Sequence, residues 1–176
     1  MGVNNKYQKI EPRRKPFKSA VVKTVLFVLG RGFQSIAKRD PEVKKEVDGW
    51  AEGFQLMFEI LPAGPFMTLQ KKDGRLRYCG LIKTEADLVI DFKNVDTAFM
   101  MFTAQMSTAK AYAQHRLSVQ GDIVNAMSMI RCLNIVEFYL FPGIIAKLIL
   151  KRMPKMTLRK FGVRLNTYLL GIPFGI

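Results

Sequence analysis

The chain has 176 residues, 49% of them hydrophobic, and a formal net charge of +14. This length and apolar content favour one domain with a substantial core and disfavour disorder throughout. The positive charge favours an anionic partner, namely a nucleic acid, an anionic membrane or an acidic protein, and does not choose among the three.

Two helices are predicted before any strand. The first covers Lys18 to Lys38, and Gly30 and Gly32 are points at which it can split. The second follows Asp40, whose side chain suits an N-cap, and is predicted to close around Gly53.

From Phe54 onward apolar residues repeat with a period of two, which is typical of β-strands. Four such segments follow one another, separated by turn signals such as Asp73-Gly74: FQLMFEI, FMTLQKK, RLRYCGLI and ADLVIDF. We interpret them as an antiparallel meander with one apolar face and one hydrated face.

Two short helices, with Asn94 and Ser107 as predicted N-caps, precede a last strand, LSVQG. A longer helix is predicted after Gly121, where apolar residues recur at helical spacing: Ile123, Ala126, Met127, Ile130 and Leu133. Val124 and Met129 widen this apolar arc beyond a normal amphipathic stripe. We therefore expect the helix to be covered on more than one side.

The C-terminal part differs in charge, because there is no Asp or Glu from Phe138 to Ile176. Its segment IVEFYLFPGIIAKLIL comes closest to a membrane span, but Glu137, Pro142 and Lys147 interrupt it short of the ~20 apolar residues that a bilayer requires. The segment is interpreted as buried or interfacial.

No set of residues predicts an active site. The single histidine, His115, has no nucleophile or carboxylate at a suitable spacing, and a cation at a helix C-terminus is an ordinary feature. Three strand carboxylates, Glu59, Asp87 and Asp91, fall on the polar sheet face, where solvated side chains are expected rather than an acid/base pair. No catalytic residue, metal site or cofactor is predicted, and the protein is interpreted as a non-enzyme.

Cysteine usage and the N-terminus favour a cytoplasmic location. Cys79 and Cys132 have no CxxC spacing and are interpreted as reduced thiols. The N-terminal segment is too basic and polar for a signal peptide.

Ten methionines and thirteen phenylalanines supply soft, apolar side chains. Methionine is a common filler of ordinary cores, and it also lines cavities that adapt to apolar ligands. Residue spacing does not separate these two readings.

The order of elements and the segment AYAQHRLSVQGDIVNAMSMIRCL resemble the sterol carrier protein type 2 (SCP2) domain family. In that family a short strand follows an Ala-aromatic helix and ends at Gly before an Ala-Met helix. The residues that carry the match, within roughly Glu42 to Leu133, are Ala111, Tyr112, Leu117, Val119, Gly121, Asp122, Ala126 and Met127.

The resemblance implies an α+β fold in which an antiparallel-rich five-stranded sheet and helices enclose an apolar tunnel. Such a tunnel would hold a bound lipid or fatty acid. The wall residues predicted from the resemblance are Phe58, Leu88, Ile90, Phe99, Phe102, Met127 and Ile130.

We divide the chain into a basic N-terminal arm and helix (1–40), an SCP2-like lipid-binding domain (41–137) and a basic, apolar C-terminal extension (138–176) packed on the same domain. The extension departs from the family pattern. It is expected to plug, enlarge or cover the tunnel mouth.

The leading hypothesis is non-catalytic binding and carriage, or presentation to a lipid-processing enzyme, of a fatty acyl, sterol-like or isoprenoid lipid. Reversible contact with anionic membranes, as a peripheral protein, is predicted through Lys147, Lys151, Arg152 and Lys155. One alternative is a nucleic-acid-binding module, which is disfavoured because the bases are not interleaved with aromatics in a recognised motif. Another is an obligate accessory subunit of a lipid or quinone biosynthetic complex.

Overall fold

The computed structural model describes residues 15–103, 105–140 and 158–174. The helices are α1 (Pro16–Arg39), α2 (Pro41–Asp48), α3 (Val95–Phe102), α4 (Thr108–Ala113), α5 (Ile123–Leu140), α6 (Leu158–Asn166) and α7 (Ile172–Phe174), with a π-helical segment (Thr167–Gly171) joining the last two. The strands are β1 (Gln55–Ile60), β2 (Phe66–Lys72), β3 (Arg75–Gly80), β4 (Leu88–Phe92) and β5 (Leu117–Gly121).

Helix α1 runs without interruption through Gly30 and Gly32, so neither glycine splits it. A Cβ on Gly30 would lie 2.6 Å from Cε2 of Tyr78, and one on Gly32 would lie 2.7 Å from Cδ2 of Leu140. These glycines therefore serve the close approach of α1 to β3 and α5.

The caps of the short helices are confirmed. Asp40 accepts hydrogen bonds from the amides of Glu42 (2.9 Å) and Val43 (3.2 Å), and Asn94 accepts one from Thr97 (2.9 Å). Helix α2 is shorter than predicted and ends at Asp48.

The five strands form one mixed sheet in the order β3-β2-β1-β4-β5. The pairs β1–β2, β2–β3 and β4–β5 are antiparallel, but β4 pairs with β1 in parallel. The α+β class and the antiparallel-rich five-stranded sheet are confirmed, whereas a continuous meander is wrong. The chain at 81–87 joins the edge strand β3 to β4, and Thr68 Oγ1 of β2 donates to the carbonyl of Ile82 at 2.9 Å.

One sheet face is apolar, because Phe58 of β1 and Ile90 of β4 are register partners and both are buried. On the other face the partners Glu59 and Asp91 are also buried, which corrects the prediction of a hydrated surface. Glu59 accepts from Nζ of Lys83 at 2.6 Å, and Asp91 accepts from Gln120. These partners offset the cost of removing two carboxylates from water.

Polar contacts fix α2 between α5 and the sheet. Trp50, just after α2, donates through Nε1 to Ser128 Oγ at 2.9 Å, and Tyr139 donates to Asp40 Oδ2 at 2.7 Å. Lys71 is buried and donates to the Trp50 carbonyl at 2.6 Å. The start and the end of α5 are thus both attached to the α2 region.

By length and composition α1 and α5 could each cross a membrane, each with a mean hydropathy of 1.3. In this structure 50% and 44% of those windows are buried. Such burial is also a feature of core helices in soluble domains.

The C-terminal helix, which we define as 158–174, lies on α1. A Cβ on Gly171 would overlap the side chain of Ser35, and Tyr168 donates to the carbonyl of Leu140. Lys160 Nζ lies 3.9 Å from a carboxylate oxygen of Glu42. The C-terminal helix therefore packs on the same core as the preceding domain.

Candidate functional site

Helix α5 is buried on one side and exposed on the other over its first two turns. Ala126 and Met129 face the core. Four large aliphatic side chains on the opposite side are 37% to 75% exposed, and we call them the α5 apolar face: Ile123, Val124, Met127 and Ile130. A contiguous exposed apolar surface is a common mark of a binding site.

The turn at Gly121 fixes where this face begins. Gly121 has φ +129°, and a Cβ there would collide with the carbonyl oxygen of Asp87. Asp122 then accepts from the amide of Asn125 at 2.9 Å and caps α5. A strand can therefore pass directly into the helix, which starts with the apolar pair that follows Asp122.

A chain of aromatic rings lies on the inner side of the sheet. Phe58 and Phe92 have ring centroids 6.2 Å apart, and Phe92 and Phe102 have centroids 5.5 Å apart. Phe102, like Phe99, is half-buried on α3 and packs against the core.

The seven predicted wall residues fall into two groups. Five belong to the core or pack against it: Phe58, Leu88, Ile90, Phe99 and Phe102. The other two, Met127 and Ile130, are on the α5 apolar face. The structure thus brings five together and separates two by the thickness of α5, and their role as a wall stays a prediction.

Sequence reasoning did not identify Ile123 and Val124 as accessible apolar side chains. The signal was present in the width of the apolar arc, but the arc does not tell which side other elements cover.

Two of the cavities in the described part of the chain have lysine and arginine side chains in their linings. One, of about 310 Å³, lies beside Lys38, Lys44 and Arg75. The other, of about 510 Å³, lies beside Lys93 and Arg116. None of the seven predicted wall residues lines either of them.

The charge of Arg131, which borders the α5 apolar face, is paired. Arg131 donates through Nε and Nη2 to the two oxygens of Glu46, each at 2.7 Å. These hydrogen bonds, with one from Ser128, lower the pKa of Glu46 to about 2. Further along α5, burial raises the pKa of Glu137 to about 7.

The histidine and the two cysteines that were considered as reactive groups are not arranged as in a catalytic site. His115 is exposed at the end of α4, with φ +52°. Cys79 is exposed and Cys132 is buried, and burial raises the pKa of the Cys132 thiol to about 12. Within 15–103, 105–140 and 158–174, no three His, Cys, Asp or Glu side chains are grouped to hold a metal ion.

The predicted membrane-contact residues Lys147, Lys151, Arg152 and Lys155 lie outside the described residues. Their contact with a membrane stays a prediction.

Neither a family model nor a curated protein sequence matches the chain. Solved structures do match. The UbiJ-SCP2 ubiquinone synthesis protein is 18% identical, with a TM-score of 0.44 over 69% of this chain and 100% of that one. The sterol carrier protein domain 2 of Helicoverpa armigera is 13% identical, with a TM-score of 0.48 over 83% of this chain and 100% of that one.

Sterol carrier protein 2 from Yarrowia lipolytica, in its apo form, is 15% identical, with a TM-score of 0.41 over 69% of this chain and 94% of that one. All three of these structures are of SCP2 proteins, the family that the segment AYAQHRLSVQGDIVNAMSMIRCL resembles. Because these TM-scores are below 0.5, we base the functional proposal on residues of this chain.

Proposed function

We propose that the protein binds an apolar lipid without chemical conversion and carries it or presents it to a lipid-processing enzyme. The α5 apolar face is the observation that carries this proposal. In this proposal Met127 and Ile130 form the accessible end of the site. The other five predicted wall residues lie in the core or pack against it, on the inner side of α5, and their part in lipid binding stays a prediction: Phe58, Leu88, Ile90, Phe99 and Phe102.

The physical support is the cost of leaving aliphatic side chains in water. Removing apolar surface from water contributes about 25 cal/mol per Å², so covering several aliphatic side chains with an acyl or isoprenoid chain favours binding by several kcal/mol before association costs. Methionine adapts its shape to different partners. The pairing of Arg131 with Glu46 leaves little net charge beside the face, which suits an uncharged hydrocarbon chain.

The test is binding of a fluorescent fatty acid by Met127→Asp and Ile130→Asp. Both positions are exposed, so the variants are expected to fold, while a carboxylate against a hydrocarbon chain should weaken binding about tenfold or more. Gln114→Glu is the matched control, because it adds one negative charge at an exposed position outside α5. Equal binding by parent, control and both folded variants would show that this face is not the lipid site.

The class of lipid is open among fatty acyl, sterol-like and isoprenoid molecules. Mass spectrometry of organic extracts from gently purified protein will identify the class. A preparation that never retains a lipid and binds none from vesicles contradicts the proposal.

We also propose a cytoplasmic protein that contacts anionic membranes reversibly, with Lys147, Lys151, Arg152 and Lys155 as contributors. Replacing these four by Gln should weaken sedimentation with anionic vesicles and reduce its salt sensitivity. Unchanged, salt-sensitive sedimentation would exclude them.

A further inference from the structure

The C-terminal helix turns apolar side chains outward, away from the domain on which it packs. Six large side chains of this helix are between 40% and 67% exposed: Phe161, Leu165, Tyr168, Leu169, Leu170 and Phe174. Phe161, Leu165 and Leu169 follow at intervals of four, which places them along one side of a helix. We call these three the outer stripe.

The opposite side of the helix is fixed to the domain. Thr167 and Gly171 are buried, and the side chain of Ser35 occupies the space that a Cβ on Gly171 would need. The hydroxyl of Tyr168 is bound to the carbonyl of Leu140. The outer stripe therefore cannot turn inward without loss of these contacts.

The charge of the C-terminal helix indicates which kind of partner can cover the outer stripe. Residues 158–174 contain Arg159, Lys160 and Arg164 and no Asp or Glu, so the helix has an excess of positive charge even with Glu42 3.9 Å from Lys160. A second copy packed face to face would bring these cations together, and a nucleic acid would leave the stripe uncovered. An anionic bilayer accepts both parts, since acyl chains cover the stripe and lipid phosphates attract the bases.

We propose that the C-terminal helix lies flat in the headgroup layer of an anionic bilayer, with Phe161, Leu165 and Leu169 directed into the acyl region. The inference deepens the membrane contact proposed above and does not depend on the lipid site of α5. It places the bound domain with α1 and the C-terminal helix towards the membrane.

The first test measures partition into vesicles of phosphatidylcholine mixed with phosphatidylglycerol. Leu165→Gln/Leu169→Gln should lower the partition coefficient about tenfold or more, because two inserted side chains become polar. Leu81→Gln/Ile82→Gln is the matched control, since these two aliphatic residues are also exposed but lie in the 81–87 segment. Its partition should change less than about twofold. Equal losses in both variants, or no loss in the first, would overturn the inference.

The second test measures insertion itself. Relative to the parent, Phe161→Trp should show a blue-shifted emission and quenching by brominated acyl chains with mixed vesicles, and neither effect with pure phosphatidylcholine. Lys160→Gln/Arg164→Gln in this background should weaken the dependence on phosphatidylglycerol. Emission from the introduced indole that mixed vesicles leave unchanged would contradict insertion.

Two further readouts distinguish the alternatives. Leu165→Gln/Leu169→Gln should bind the soluble fluorescent fatty acid like the parent, so failure at the membrane is separable from failure of the lipid site. Size-exclusion chromatography without vesicles should give the same oligomeric state for both. A parent dimer that this variant converts to a monomer, with partition unchanged, would assign the stripe to a second copy.

Discussion

Among the residues that the structure describes, the α5 apolar face and the outer stripe are both exposed, and they differ in the charge that borders them. Beside the α5 apolar face, Arg131 is paired in a bidentate manner with Glu46. Beside the outer stripe, the segment 158–174 contains three bases and no carboxylate side chain, and Glu42 of α2 lies 3.9 Å from one of the bases, Lys160. In our proposals the neighbouring charge distinguishes the two partners, a neutral hydrocarbon chain at the α5 apolar face and an anionic surface at the outer stripe.

The two faces also differ in how they are held. α5 is attached through Ser128 and Tyr139 and buries its inner side in the core. The C-terminal helix rests on α1 around Gly171 and Ser35. Substitutions at the attachment points should therefore disable one face while sparing the other.

The largest effect is expected for Gly121→Ala, which changes the turn at which the α5 apolar face begins. Its φ of +129° disfavours any side chain, and a Cβ would collide with the Asp87 carbonyl. We expect a loss of about 3 kcal/mol in the free energy of unfolding, measured by urea denaturation, and weaker fatty acid binding. The control is Gly74→Ala, which also has a positive φ but has open space for the Cβ. Equal losses in both variants would show that the collision is not decisive.

The pH dependence of the free energy of unfolding tests the end of α5, where Glu137 lies, independently of its exposed first turns. The pKa of Glu137 is raised from 4.5 to about 7 by burial, so the folded state binds its proton more tightly than the unfolded state. The contribution of Glu137 to the free energy of unfolding should be highest below about pH 4.5, fall by up to about 3 kcal/mol as pH rises to about 7, and then level off.

Glu137→Gln cannot lose this proton, so denaturation midpoints at about pH 5 and about pH 8 should differ less than in the parent. An identical difference in the variant would assign the pH dependence to other groups.

A smaller effect is expected for Gly171→Val, which changes the contact that holds the helix of the outer stripe on α1. The added side chain overlaps Ser35, and overpacking of this kind costs about 1–3 kcal/mol. Vesicle partition should fall while fatty acid binding stays near the parent value. Ser35→Gly should restore part of both stability and partition. If it does not, the contact between these residues does not seat the helix.

The smallest effect is expected for Arg131→Gln, which removes the neutralising partner beside the α5 face. The Glu46 pKa is lowered to about 2, first by its hydrogen bonds with Arg131, so its stabilisation is present above pH 4.5 and lost as pH falls towards 2. In the variant the carboxyl titration of Glu46, followed by NMR, should move towards the ordinary pKa. A titration that stays near 2 would assign the shift to Ser128.

Local signals in the sequence predicted the features that depend on near neighbours. The caps at Asp40 and Asn94 were predictable because a cap involves residues two or three positions away. The strand alternation and the abrupt turn at Gly121 are equally local.

Features that depend on distant elements were not predictable. The same glycine signal that indicates a helix break at Gly30 also permits close packing, and only the position of Tyr78 decides between them. Alternation placed Glu59 and Asp91 on the polar side, but their burial depends on the rest of the fold.

For the candidate site, helical spacing found the apolar residues of α5. It could not divide them between the core, where Met129 lies, and solvent, where Met127 lies, because that division depends on which elements pack against the helix.

On the ribosome, β1, β2 and β3 emerge before the strand that completes the centre of the sheet. β1 can pair with β2 at once. Its other edge stays unpaired until β4 is synthesised and Leu88 pairs with Leu56. An apolar strand with an open edge is a template for pairing with other chains. Nascent chains that pause between β3 and β4 are therefore expected to be the most prone to aggregate and the most dependent on chaperones.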